Sequence, residues 1–139
     1  MSSVSFSVPG VPAPQGSKTR TKWGMREDNP ATRPWRQAVA FEAEAAMDGC
    51  PLFLGPCSLE VRCFFPRPQS HFRSGKFAAE LKPGAPEFQA STPDADKCLR
   101  AICDALKGYV VRDDAQFSRQ LVEKRYGQPR AEILVSTIE

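Results

Sequence analysis

The hydrophobic pattern along the chain changes period several times, and each change marks an element. Ser3 to Val8 alternates, with Val4, Phe6 and Val8 on one side, as a half-buried strand does. Pro9-Gly10 ends it. Ala31 to Asp48 switches to helical spacing: Trp35, Val39, Ala43 and Met47 share a stripe, Thr32 is placed to cap, Pro34 suits the first turn, and Gly49 follows as a stop. Cys57 to Phe65 alternates again, with Cys57, Leu59, Val61, Cys63 and Phe65 facing one way and Ser58, Glu60 and Arg62 the other.

Asp94 to Lys107 is the clearest helix, with Leu99, Ile102, Cys103 and Leu106 at i, i+3, i+4 and i+7. Thr92-Pro93 supplies a cap and a first-turn residue, and Gly108 closes the helix. Tyr109 to Val111 is a short apolar segment and Arg112-Asp113-Asp114 a turn. Ala115 to Tyr126 and Ala131 to Ile138 read as strands joined around Gly127-Gln128-Pro129 as a hairpin. The order β, α, β, α, β, β predicts one α+β domain over residues 1–139, with two main helices on a face of a mixed sheet.

Two stretches have no period. Val11 to Pro30 reads as a basic loop, and Pro66 to Pro93 as a long loop carrying Pro66, Pro68, Pro83, Pro86 and Pro93. A loop of that length in a small domain usually serves function. Both matter for charge. The net charge of +3 is too small to name a partner. However, Val11 to Arg26 holds Lys18, Arg20, Lys22 and Arg26 without an acid, and Phe64 to Phe77 holds Arg67, Arg73 and Lys76 without an acid. Such clusters suit a phosphate backbone; two solvated loops with basic tips would look the same.

The five cysteines, Cys50, Cys57, Cys63, Cys98 and Cys103, are odd in number and read as free thiols rather than a zinc set. No apolar run is long enough to span a bilayer. Met1 to Gly10 lacks the pattern of a signal peptide, so a cytoplasmic location is expected.

The chemistry concentrates in acids around the second helix. Asp94 and Asp96 open it; Asp113 and Asp114 follow its end. Singly, each has a plain structural reading as a helix cap or a turn residue. Together, a return of the chain that placed Asp114 beside Asp94 and Asp96 would create a repulsive cluster. Each pair would cost roughly 4 kcal/mol at 4 Å and an effective dielectric near 20. A hard divalent cation relieves that repulsion, and Mg²⁺ held by a few carboxylates keeps waters for phosphodiester hydrolysis. Asp96, Arg100 and Asp104 lie at i, i+4 and i+8, so Arg100 is expected to be held between the two acids, with Lys97 nearby.

The run Pro93-Asp94-Ala95-Asp96-Lys97-Cys98-Leu99-Arg100-Ala101-Ile102-Cys103-Asp104-Ala105-Leu106 resembles the signature of the RusA Holliday-junction resolvases. Arg112-Asp113-Asp114-Ala115-Gln116-Phe117, Glu123-Lys124, and Val8 to Pro14 with Gly16 to Arg20 are similar to its other conserved pieces. The resemblance implies a homodimeric, Mg²⁺-dependent crossover junction endodeoxyribonuclease that nicks four-way DNA, common in phages and prophages. Mn²⁺ is a substitute metal, and no organic cofactor or membrane is involved. By position it implies Asp94, Asp96 and Asp114 as catalytic metal ligands and Arg100 as the catalytic basic residue. Asp104 and Asp113 would support them, and Lys18, Arg20, Lys22, Arg67, Arg73, Lys76 and Lys97 would grip DNA. Lys97 stands where asparagine is usual and Arg100 where lysine is; arginine keeps the charge but cannot give up a proton. Two alternatives stay open: a nuclease preferring flaps or forks, and a catalytically weak or silent branched-DNA binder.

Overall fold

The computed structural model describes residues 2–16, 18–27 and 29–139. Strand β1 (Ser3–Pro9) is followed by a small hairpin, β2 (Lys18–Thr21) and β3 (Gly24–Glu27). Then come helix α1 (Thr32–Met47), strand β4 (Cys57–Phe65), helix α2 (Ala95–Leu106), and strands β5 (Phe117–Tyr126) and β6 (Arg130–Thr137). The expected α+β fold is the one found. The hairpin β2–β3 lies within Val11 to Pro30, where the lack of period predicts a loop.

The main sheet runs β1-β6-β4-β5, with β6 antiparallel to β1 and β4, and β4 parallel to β5. The expected hairpin of the last two strands therefore does not form. Strand β4 lies between them, and its five alternate residues are buried under the helices. The link from β5 to β6 must cross two strand spacings, about 10 Å, within the reach of three extended residues. Gly127 makes this crossing close: its N–H donates to the Phe65 carbonyl at 2.9 Å, and a Cβ there would sit 3.1 Å from the Phe64 ring.

Thr32, Trp35, Val39, Ala43 and Met47 are buried along α1, matching the expected stripe. Thr32 does not cap. It is the first helical residue, and its hydroxyl donates to the Pro14 carbonyl at 2.6 Å, fixing the chain before the hairpin to α1. Helix α2 buries Cys98, Ala101, Ile102, Cys103, Ala105 and Leu106 against α1 and the sheet. Because α2 is the crossover between parallel β4 and β5, it runs back against their direction. Its first turn therefore lies by the end of β5, and its last turn by the start of β5. No described helix is long and apolar enough to cross a membrane.

Candidate active site

Asp94 is the residue preceding α2, with extended backbone, and its side chain makes no cap hydrogen bond. The ordinary reason for an aspartate at that position is thus missing, and the same holds for Thr92-Pro93 as a cap. Asp94 and Asp96 are both exposed. Asp94 pairs with Lys97 at 3.6 Å, an exposed i, i+3 contact. Lys124, reaching up from β5, donates to the carbonyls of Ser91 and Pro93 at 2.6 and 2.8 Å. It anchors the segment that presents Asp94. Beneath lie Cys63 and Cys98. Their shared hydrogen bond holds the Cys98 thiol below its usual range, helped by Lys124, and together with burial raises that of Cys63.

Asp94 and Lys97 lie on the wall of a cleft of about 670 Å³, which Pro12, Gly16, Asn29 and Phe65 help line. Gly16 and Asn29 flank the β2–β3 hairpin, so the hairpin springs from the lip of the cleft. The Gln15 N–H donates to the Lys97 carbonyl at 2.9 Å, tying that lip to α2.

Asp114 is elsewhere. It opens a single 3₁₀ turn capped by Asp113, whose side chain accepts from the Ala115 N–H at 3.0 Å. The Gln116 side chain accepts from the N–H groups of Arg112 and Asp113 and donates to the carbonyls of Phe53 and Gly55. The backbone bond to Ala115, above all, lowers the Asp113 pKa. The Asp114 carboxyl is raised, first by its hydrogen bond to Asp113, then by partial burial and the charges of Asp113 and Asp104. The Cys103 thiol, pushed up to about 12 by burial and by the charges of Asp114 and Asp104, marks the same neighbourhood.

The expected convergence of three aspartates is not formed within one chain. Asp114 sits by Asp104 and Lys107 at the last turns of α2, whereas Asp94 and Asp96 sit at its first. Asp96 and Asp104 alone are separated by about 12 Å along the axis. Among the described residues, no group of three or more metal-ligating side chains gathers at one point. The crossover topology is the cause: a strand parallel to β4 must begin at the far end of the helix that precedes it.

The expected clamp on Arg100 also differs. Asp104 pairs with Arg36 of α1 at 3.9 Å, and Arg36 also donates to Gln15 at 2.8 Å. Among the described residues Arg100 is exposed and has no ion pair, so it is free to meet an incoming phosphate.

The DNA-binding candidates divide. Arg67 donates to the Pro86 carbonyl at 2.7 Å and lies over the Tyr126 ring, holding the long loop together. Arg73 is paired with Glu80 at 2.7 Å, and it and Lys76 lie against Phe77. Lys22 is at the hairpin tip, 5.2 Å from the ring centre of Trp23, which is 87% exposed. The side chains of Lys18 and Arg20 lie outside the described residues. Trp23 escaped the sequence reading, although Lys22-Trp23-Gly24 after alternating basic residues is a visible tip signal.

A family-wide profile described as "Endodeoxyribonuclease RusA" matches residues 9–136. The "Uncharacterized protein YqaN" of Bacillus subtilis (strain 168) is 29% identical over 143 residues, covering 99% of each chain.

Proposed function

The chain belongs to the RusA endodeoxyribonuclease family, and from that premise we propose that it is a divalent-metal-dependent nuclease that resolves four-way DNA junctions by paired nicks, acting as a homodimer. The observation that carries this reading is the Asp94/Asp96 pair: two exposed carboxylates at a helix start, Asp94 making no cap bond, on or beside the wall of a cleft.

Carboxylate oxygens are the donors a hard cation selects, so Asp94 and Asp96 fit Mg²⁺, or Mn²⁺ in its place. Such an ion would supply an activated water and neutralise charge growing on the phosphate. Asp94 and Asp96 would hold two ligand positions. Lys124 keeps Asp94 in place through the Pro93 carbonyl. Arg100, one turn along from Asp96, offers its guanidinium to the phosphate. Among the described residues no third carboxylate of the same chain joins them. A second copy supplies it if the two-fold lays the Asp114 end of one chain against the Asp94 end of the other. Two such composite sites also match the two-fold symmetry of a four-way junction.

A second reading has one observation in its favour. Lys97 places a cation 3.6 Å from Asp94, in competition with a metal, which suits a branched-DNA binder that does not cut. The test is incubation with a synthetic four-way junction, with and without Mg²⁺ or Mn²⁺. Paired symmetric nicks that require metal support the resolvase. Cutting of flaps or forks but not junctions would assign another nuclease, and binding without cutting would assign the binder.

A further inference from the structure

The hairpin of β2 and β3 turns through Lys22 and Trp23, with Thr21 paired to Gly24 across the turn. Gly24 has a φ of 117°, a backbone state that side chains oppose, so a glycine lets this short turn close. Trp23 is 87% exposed, more than any other large apolar side chain among the described residues. An indole kept in water adds nothing to the core; held this far out, it suits contact with a partner. The root of the hairpin is fixed instead. On one side the Gln15 side chain accepts from Arg36 at 2.8 Å, while the Gln15 N–H donates to the Lys97 carbonyl. On the other, the Asn29 side chain accepts from the Ala31 N–H at 2.9 Å, and the Asn29 carbonyl accepts from the Thr32 N–H at 3.2 Å. The root is therefore held on α1 and α2, at the cleft that Asp94 also lines.

We propose that Trp23 is a wedge for the branch point of DNA. Its ring stacks on the face of a base pair that an open junction leaves uncovered, and this makes the protein prefer branched DNA to plain duplex. The proposal rests on the branched-DNA reading above and names the side chain that recognises the branch. The chemistry fits. The Lys22 ammonium lies 5.2 Å from the Trp23 ring centre, so the tip joins a π-face to a positive charge, the two groups that hold single bases and their phosphates. The sequence from Lys18 to Glu27 carries Lys18, Arg20, Lys22 and Arg26 against Glu27 alone, which suits a polyanion better than an apolar protein surface.

The reach fits as well. Each strand of the hairpin has four residues, which at about 3.4 Å each span about 14 Å. The grooves of B-DNA are only about 8 Å deep. A phosphate at the Asp94 end and a base at the tip can therefore be met together. Selectivity follows from stacking. Inside a continuous duplex every base pair is covered on both faces, and an inserted ring must first force a step apart, at a cost of a few kcal/mol. Where arms diverge, the last pair of an arm offers a face without that cost. The same indole thus rewards a branch and gains little from a straight helix.

The experiment compares binding of a synthetic four-way junction with binding of a linear duplex of one arm's sequence, by fluorescence anisotropy in EDTA at one salt concentration. Trp23→Ala should lose roughly five- to 150-fold in junction affinity, the worth of one stacked base, and keep its duplex affinity. Trp23→Phe should regain most of the loss. In parallel, 2-aminopurine placed at the branch should change its fluorescence on binding wild-type protein and not on binding Trp23→Ala, whereas the same base in mid-arm should respond to neither. Equal losses on junction and duplex, or an unchanged junction affinity, overturn the wedge. So does a branch-point 2-aminopurine that responds alike to both proteins. A wild-type chain that binds duplex as tightly as junction overturns the branched-DNA reading and the wedge with it. A junction preference that survives Trp23→Ala overturns the wedge alone. No reading depends on cutting, so a junction binder that never nicks leaves the wedge standing.

Discussion

The two ends of α2 carry the same residue type in opposite conditions. At the first turn, Asp94 and Asp96 are exposed, and among the described residues the one ion pair there is the outer contact of Asp94 to Lys97. At the last turn, Asp104 is paired with Arg36, Asp113 caps a 3₁₀ turn, and Asp114 shares a hydrogen bond with Asp113. The first end is kept open by structure elsewhere, namely Lys124 beneath it and Gln15 beside it. The second is knit into the fold through Gln116 and α1. An aspartate becomes a candidate ligand when its neighbours do the structural work for it.

The largest expected effect falls at the open end. Asp94→Asn or Asp96→Asn should lower junction cutting by on the order of a hundredfold or more while junction binding in a gel-shift assay persists. Equal loss of both would make these residues part of the grip instead. Next in size is the hairpin springing from the same end. Trp23→Ala should weaken junction binding by roughly 1–3 kcal/mol, the worth of one stacked base, with the cutting rate of bound junction unchanged; Trp23→Phe should recover most of it. Unchanged affinity would remove the hairpin tip from the DNA contact.

Smaller still is Lys97→Asn. The pair with Asp94 is exposed, worth about 1 kcal/mol at most, so the variant should bind Mn²⁺ up to about fivefold more tightly by calorimetry. Weaker binding would show that Lys97 helps the site rather than competing in it.

The last prediction concerns the knit end of metal-free protein. Carboxyl titration by NMR should find Asp114 above and Asp113 below the usual carboxylate range. The signs oppose. The stability Asp113 gives is present above the ordinary carboxylate pKa and fades as pH falls through its lowered value. That tied to protonated Asp114 is present at lower pH and fades as pH rises through its raised value. Asp113→Asn should bring the Asp114 pKa down; an unmoved value would mean the two carboxyls do not interact.

These contrasts also mark what the chain discloses before folding. The stripe on α1 and the alternation of Cys57 to Phe65 were legible because burial on one face writes a period into the sequence. Which strand lies beside β5 was not, because an alternating pattern fixes a face and leaves the neighbour open. The short strands β2 and β3 hold four residues each, too few for a period to emerge from a basic stretch. The candidate aspartates were visible as residue types at helix ends. Their separation was not, because it depends on the parallel crossover rather than on spacing. Arg36 as the partner of Asp104 was equally hidden, being set by how α1 crosses α2.

The account stands on acids from the two ends of α2 meeting between chains, and mixing two inactive variants tests that most directly. Asp94→Asn and Asp114→Asn should each fail to nick a four-way junction alone. After subunit exchange, verified by native mass spectrometry, the mixed dimers hold one intact site each, with the Asp94 of one chain facing the partner's Asp114. The mixture should then recover metal-dependent nicking of single strands, at about a quarter of the wild-type site content. Exchanged mixtures as inert as the separate variants would contradict the account.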